Sequence, residues 1–77
     1  MGVLVIDNKK YARVLARVLP RVIATDAEHE RMLTEVEKLM DKGEHRTSEE
    51  DAALELMVRL VTGYEQEHHP LPDPSPH

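Results

Sequence analysis

The segment TSEEDAALELMVRLVTGY, residues 47–64, decides the fold of this chain, because it begins with a helix cap and continues with apolar residues at helical spacing. Thr47 and Glu50 have the spacing of a capping box, in which the Thr hydroxyl and the Glu carboxylate each bind the other's backbone N–H group. Residues 47–64 are therefore predicted to form an amphipathic helix. Its apolar stripe contains Ala53, Leu56, Met57, Leu60, Val61 and Tyr64.

The apolar surface of this helix is wider than one stripe. Leu54 and Val58 lie beside the stripe and extend the apolar surface beyond what two partner helices need. One interpretation is a second contact, in a homodimer or with another protein, and under it Leu54 and Val58 are the predicted dimerisation residues. The other is that three short helices simply wrap around one helix. The sequence leaves both interpretations open.

A second helix is predicted before this one. Thr25 and Glu28 repeat the capping-box spacing, so a helix is expected to begin there and to run to about Lys42. Gly43 follows, and glycine suits the left-handed conformation found beyond a helix end. The inward stripe of this helix is predicted to contain His29, Met32, Leu33, Val36, Leu39 and Met40.

The first helix is expected to begin at a cap on Asp7 or Asn8, after an extended or short β lead-in over residues 3–6. Pro20 has no backbone N–H and disfavours helical geometry in the residue before it, which predicts a break or kink and then a further turn over residues 21–24. The chain is thus predicted to be all-α, a small three-helix bundle with helix 1 kinked at Pro20. The apolar face of helix 1 contains Tyr11, Val14, Leu15, Val18 and Val22.

Length and composition restrict the class of protein. A chain of 77 residues forms one small domain at most, and a core of this size is only marginally stable unless it is reinforced, so we expect a homodimer. The chain has no cysteine, which excludes disulfides and thiolate metal sites and favours the cytoplasm. No apolar run has the length of a signal peptide or a membrane span, so no membrane partner is expected.

The charge is distributed unevenly along the chain. The net charge of −5 combines +4 up to Ala24 with −9 from Thr25 onward. The acidic portion favours a basic partner, although charges of this kind also occur as an ordinary solvated helix face. Arg59 is the only basic residue between Arg46 and the end of the third helix, so no DNA-reading helix is expected in this chain.

Catalytic and metal-binding motifs are scarce. The sequence contains no G-x-S-x-G motif, no phosphate-binding loop and no cysteine nucleophile, so we predict that the protein is not an enzyme. Glu65 and His68 have the E-x-x-H spacing of di-iron helical bundles. Such sites need a second E-x-x-H motif and two further glutamates, so we predict no metal and no cofactor.

The composition changes after His69. Pro70, Pro72, Pro74 and Pro76 alternate with other residues, a spacing that excludes a helix or strand interior. Residues 70–77 are therefore predicted to be an extended, proline-rich linker. Residues 1–69 are the predicted helical module.

The order of these segments resembles the amino-terminal region of HigA-type antitoxins, the Xre-family regulators of bacterial toxin–antitoxin pairs. The resemblance covers nearly the whole chain: a Lys-Tyr-Ala helix ending in Val-Leu-Pro, a T-x-x-E helix, a T-x-E-E-D start, and the pattern Y-E-x-x-H-x-P at residues 64–70. In that family a D-P-[SI]-x-E segment leads into a helix-turn-helix, and residues 73–77 are similar to its beginning. The DNA-binding domain itself is missing from this sequence, so DNA contact is expected only through a carboxyl-terminal domain.

The resemblance implies a partner and a function. The family partner is HigB, a small basic RelE-like ribonuclease that cuts messenger RNA at the ribosome. The chain is therefore expected to bind and neutralise a HigB-like toxin in the cytoplasm and to take part in transcription regulation. An alternative is a homodimerisation or adaptor module without toxin contact. The predicted contact residues for the toxin, on helix 3 and at its end, are Met57, Tyr64, Glu65, Glu67 and His68.

Overall fold

The computed structural model describes residues 5–68, which form an all-α structure as the sequence predicts. The helices are α1, Asn8–Val18; α2, Asp26–Asp41; and α3, Ser48–His68, and a 3-10 turn at Gly43–His45 joins α2 to α3. Residues 5 and 6, the described part of the lead-in, form neither helix nor strand. Residues 3 and 4 of that lead-in and the predicted linker at residues 70–77 lie outside the described part of the chain.

The core lies between α2 and α3, and α1 covers one side of that pair. α2 and α3 are antiparallel, since the Tyr64 hydroxyl binds the Asp26 carboxylate while the Arg46 side chain donates to the Leu39 carbonyl oxygen at the other end. Burial of apolar side chains at this junction provides most of the stabilisation. The core cluster consists of Val18, Ile23, Met32, Val36, Leu39, Met57, Val61 and Tyr64.

The helices begin at the predicted caps. The Asp7 carboxylate accepts hydrogen bonds from the backbone N–H groups of Lys9 and Lys10, at 2.9 and 3.2 Å. The Thr47 hydroxyl accepts from the Glu50 N–H at 3.1 Å, and the Glu50 carboxylate accepts from the Thr47 N–H at 3.0 Å, which completes a capping box. These bonds satisfy backbone donors that have no partner inside a helix.

The capping box of α2 is modified. The Thr25 hydroxyl accepts from the Glu28 N–H at 3.1 Å as expected, but the Glu28 carboxylate reaches back to the N–H of Ala24 instead of Thr25. Glu28 also pairs with Arg21 at 2.6 Å, and these two contacts lower the pKa of its carboxyl, the Arg21 hydrogen bond most strongly. At the other end of α2, Gly43 has φ +55°, the left-handed conformation predicted for it.

The prediction for Pro20 and the residues after it is wrong in one respect. α1 ends at Val18, and residues 21–24 form no helical turn, so the chain has a break here and not a kink within a continuing helix. Leu19 adopts the left-handed conformation with φ +48° and donates to the Leu15 carbonyl oxygen, which closes the helix before Pro20 can interrupt it. Because the helical period is lost, Val22 is 79% exposed and Ile23 enters the core instead.

Arg31 holds this end of α1 against α2. Its two terminal guanidinium nitrogens donate to the carbonyl oxygens of Val18 and Leu19, each at 2.8 Å. These carbonyls are among the last of the helix and have no partner within it. The Arg31 side chain therefore caps α1 from a neighbouring helix.

Leu19→Gly is expected to raise the free energy of unfolding by roughly 0.5–1 kcal/mol. A left-handed conformation costs a residue with a Cβ atom about 1–2 kcal/mol, and glycine avoids that cost while adding flexibility to the unfolded chain. Leu19 is 57% exposed, so little packing is lost. Urea unfolding of the two proteins measures the difference. A less stable variant would mean that the Leu19 side chain contributes packing that outweighs its backbone strain.

Two buried glutamates at the start of α3 position α1. The Glu49 carboxylate accepts the Asp7 backbone N–H at 2.8 Å, so α3 fixes the first residue before α1. The Glu50 carboxylate pairs with Arg17 of α1 and with Lys42 at the end of α2. Glu49 is 7% exposed and Glu50 is 4% exposed, and both are satisfied by these contacts.

None of the helices within residues 5–68 combines the length and the apolar composition that crossing a bilayer requires.

Candidate functional site

The predicted toxin contacts separate into buried and exposed residues. Met57 is 0% exposed and Tyr64 is 6% exposed, and both belong to the core cluster. Neither side chain is available to a partner while the three helices are packed in this way. Glu65, Glu67 and His68 are accessible at the end of α3, so only this part of the predicted contact set lies on the surface.

Tyr64 joins the end of α3 to the start of α2. Its hydroxyl donates to the Asp26 carboxylate. That hydrogen bond, together with burial and the negative charge of Asp26, raises the pKa of the Tyr64 hydroxyl. The Tyr64 ring is stacked on His68, with ring centroids 4.2 Å apart, and contacts His29 with centroids 5.1 Å apart. Tyr64 is thus a structural contact between two helix ends.

The E-x-x-H pair is engaged within the protein. The Glu65 carboxylate lies 2.8 Å from Nε2 of His29, and Nδ1 of His68 lies 3.1 Å from the Tyr64 carbonyl oxygen, to which it can donate. These contacts direct the two side chains of the motif to different neighbours. Within residues 5–68, no three His, Asp or Glu side chains are grouped so that they would hold a metal ion.

The two predicted dimerisation residues differ in exposure. Leu54 is half-buried and packs against the core cluster, and Val58, one turn later, is 44% exposed. Met40, predicted to face inward at the end of α2, is 58% exposed, whereas the preceding residue, Leu39, is 3% exposed and belongs to the core cluster. Leu33 lies on the same face of α2 as Met40 and is half-buried against the core.

These four apolar residues form one surface, which we call the open face: Leu33 and Met40 on α2 with Leu54 and Val58 on α3. The antiparallel pairing of His29 with Glu65 and of Asp26 with Tyr64 sets a register that brings Met40 near Leu54 and Leu33 near Val58. The open face is therefore a strip along the groove between the two helices.

The open face lies on the side of the α2–α3 pair away from α1. Arg31 donates to the Val18 carbonyl oxygen of α1, and Lys42 pairs with Glu50, which also pairs with Arg17 of α1. Arg31 lies two positions before Leu33, and Lys42 lies two positions after Met40. Two positions correspond to about 200° around a helix. On α3, Glu49 contacts the start of α1 and lies nine positions before Val58, which is about half a turn around the axis. α1 therefore covers one flank of the pair and leaves the other uncovered.

A row of unpaired carboxylates borders the open face. Glu30, Glu37 and Asp41 recur at spacings of seven and four residues, so they lie in one row along α2. All three are exposed, and none forms an ion pair with a described residue. Several other acids of the described chain lie within ion-pair distance of a basic side chain: Glu28 of Arg21, Glu35 of Lys38, Glu50 of Arg17 and Lys42, Asp51 of Arg46, Glu55 of Arg59 and Glu65 of His29.

The opposite flank is basic. Lys9, Lys10 and Arg13 of α1 are exposed and form no ion pair with another described residue. Lys10 and Arg13 line a shallow hollow of about 310 Å³ whose floor includes Glu49 and Glu50. The uneven charge along the sequence therefore becomes an uneven charge across the bundle, basic on the α1 flank and acidic beside the open face.

Sequence reasoning missed the acidic row, although its signal is present. Glu30, Glu37 and Asp41 repeat at the spacing of one helix face, and neither Glu30 nor Glu37 has a Lys or Arg residue three or four positions away. The exposure of Met40 had no local signal, since its spacing matches the inward stripe. Comparisons of this chain with protein-family models, with curated proteins and with solved structures found no match.

Proposed function

We propose that this chain is the amino-terminal, partner-binding module of a HigA-type antitoxin and transcriptional regulator, and that it neutralises a HigB/RelE-like mRNA-cleaving toxin by binding it. The observation that supports this most directly is the row of unpaired carboxylates at Glu30, Glu37 and Asp41 beside exposed apolar side chains. The resemblance of the segment order to such antitoxins points to the same partner. The module acts by contact and carries out no reaction of its own.

Neutralisation follows from the chemistry of the target. A ribonuclease that acts on messenger RNA needs a basic surface for the phosphate backbone. An acidic helical surface is attracted to that basic surface and covers it, so the RNA and the module compete for the same charges. In this proposal the long-range attraction comes from the acidic row, and the exposed apolar residues Met40 and Val58 supply short-range contact.

An alternative is a homodimerisation or adaptor module of an Xre-family regulator without toxin contact. The observation that favours it is the partial exposure of the predicted dimerisation residues, with Val58 at 44% and Leu54 half-buried beside it. In a homodimer these residues would be covered by a second copy. The module would then set the spacing of two attached DNA-binding domains.

Co-expression in a bacterial host tests the proposal. A HigB-like toxin, the partner in this proposal, is induced with and without the chain, and colony formation and messenger RNA cleavage are measured. We expect the toxin alone to arrest growth, the intact chain to restore it, and Val58→Asp to restore it poorly, since a buried aspartate opposes apolar contact. Growth arrest that persists beside abundant, folded chain would contradict the proposal.

The same variant distinguishes the alternative. If the module mainly dimerises, Val58→Asp converts a dimer into a monomer in analytical ultracentrifugation and leaves toxin inhibition intact. Loss of inhibition without loss of a dimer rejects the dimerisation hypothesis. The circular dichroism melting curve of Val58→Asp serves as the folding control for both measurements.

A further inference from the structure

We infer that the open face, with the acidic row beside it, is the docking surface for a positively charged, amphipathic segment of the partner protein. This places the contact on the α2–α3 groove and not at the end of α3. The identification of the partner as a toxin rests on the proposed function. The location of the surface rests on the exposure, pairing and register of residues in the structure.

No element within residues 5–68 covers the apolar part of the surface. Met40 is 58% exposed and Val58 is 44% exposed, and the half-buried Leu33 and Leu54 pack against the core cluster. α1 covers the other flank through Glu49, Arg31 and the Glu50 ion pairs. An amphipathic segment placed in this groove would bury apolar side chains as α1 does on its own side.

The charged part selects the kind of occupant. Glu30, Glu37 and Asp41 carry three negative charges along one row, with no ion pair to a described residue. A basic segment would pair with these carboxylates, while an acidic or strongly apolar segment would leave them unpaired at the edge of the interface. Lysine or arginine residues flanking an apolar stripe therefore match this surface.

A second copy of this chain fits the surface poorly. Symmetric pairing through the open face would bring the two acidic rows to the same interface, where like charges repel. Pairing with the basic flank of another copy is head-to-tail and does not close into a dimer. The outward positions of α1 between its cations are Ala12 and Ala16, which are too small to fill a groove beside Met40 and Val58.

Glu37→Lys and Glu67→Lys form a matched pair for testing this inference. Both glutamates are exposed and form no ion pair with a described residue, and both substitutions change the net charge equally. They differ in location, since Glu37 borders the open face and Glu67 lies at the end of α3. Binding of a purified HigB-like toxin, the partner in the proposed function, to the 77-residue chain is measured by calorimetry at two salt concentrations.

We expect Glu37→Lys to weaken binding by about tenfold or more and to reduce its salt dependence, and Glu67→Lys to change it by less than about threefold. Met40→Ala should also weaken binding, because it removes apolar contact without changing charge. Equal losses in the two lysine variants would mean that only net charge matters and would overturn the inference. A larger loss in Glu67→Lys would place the contact at the end of α3.

The outcomes separate this inference from the proposed function. Tight binding by the intact chain that is unaffected by Glu37→Lys and Met40→Ala overturns the docking surface and leaves the antitoxin function standing. Absence of binding by the folded, intact chain overturns both. A dimer in analytical ultracentrifugation that dissociates on Val58→Asp would show that a second copy covers the open face, which also overturns the inference.

Discussion

Met57→Ala is expected to lower the free energy of unfolding by about 3 kcal/mol, which is a large fraction of the total for a domain of this size. Met57 is 0% exposed and lies in the core cluster with Met32 and Val61. Truncation removes three side-chain heavy atoms from a site that three helices surround, so the neighbours cannot collapse fully into the space. The cost includes both the lost burial and the remaining cavity.

The melting temperature gives the most direct measurement. For a domain of 60–100 residues, 1 kcal/mol shifts the midpoint by about 4–8 °C, so Met57→Ala should lower it by roughly 12–24 °C. Val58→Ala is the matched control, because Val58 is the next residue in the same helix and is 44% exposed. Its expected cost is below about 1 kcal/mol, since a partly exposed valine loses little burial on truncation.

This comparison also decides the role of Met57. If Met57 is a core residue, Met57→Ala weakens partner binding only to the extent that it unfolds the chain, and binding is restored at low temperature. A variant that melts like the intact protein but fails to bind would show that Met57 contacts the partner directly. Such a result would contradict the packing of α2 against α3 described above.

The helix caps could be predicted from the sequence because they depend on residues close together in the chain. Asp7, Thr25 and Thr47 each cap a helix as predicted. Gly43 takes the left-handed conformation predicted beyond the end of α2. A cap needs only a suitable side chain two or three residues before a free N–H group, so local spacing determines it.

Side-chain direction was less predictable where the helical period changes. Val22 has the spacing of the α1 stripe, but the helix ends at Val18 and Ile23 faces the core instead. Met40 has the spacing of the α2 stripe but lies about 100° around the helix from Leu39, so the core contact buries Leu39 and leaves Met40 58% exposed. For Val22 the position of a helix end decides the outcome, and for Met40 the limited width of the contact between α2 and α3 does; both depend on tertiary packing.

The candidate site was less predictable than the fold for a related reason. Periodicity identifies an apolar stripe but does not distinguish residues that face another helix of the same chain from residues that face a partner. Met57 and Tyr64 share the stripe of α3, and both proved to be core residues. The burial of Glu49 and Glu50 also had no sequence signal, since acids in a first helical turn are ordinarily explained by capping and the helix dipole.

Glu50→Gln is expected to lower the free energy of unfolding by about 2 kcal/mol at pH 7. Glu50 is 4% exposed, and its carboxylate receives Lys42, Arg17 and the Thr47 N–H. Hydrogen bonds to charged groups contribute more to stability than hydrogen bonds between neutral groups. The neutral Gln amide therefore keeps only part of the interaction that the Glu50 carboxylate makes. The loss stays below that of a fully buried ion pair, because the Lys42 and Arg17 side chains are 44% and 60% exposed and can be hydrated again.

The pH dependence provides a separate signature of the same group. The hydrogen bond from Lys42 is the largest cause, and that from the Thr47 N–H the next, of a Glu50 pKa below the ordinary value of 4.5. A carboxyl whose pKa is lower in the folded state stabilises the protein above its unfolded pKa and loses that contribution as the pH falls through the folded pKa. The intact protein should therefore lose stability below about pH 4.5, and Glu50→Gln should lose less over the same range.

Urea unfolding between pH 7 and pH 3 measures both effects, with Glu55→Gln as the control. Glu55 pairs with Arg59 on the surface of the same helix, where both side chains are largely exposed, and such a pair contributes below about 1 kcal/mol. The curves of the intact protein and Glu50→Gln should converge as the pH falls, whereas the Glu55→Gln curve should follow that of the intact protein throughout. If the stability of the intact protein and that of Glu50→Gln instead fall in parallel with pH, protonation of Glu50 is not what destabilises the junction of the three helices in acid.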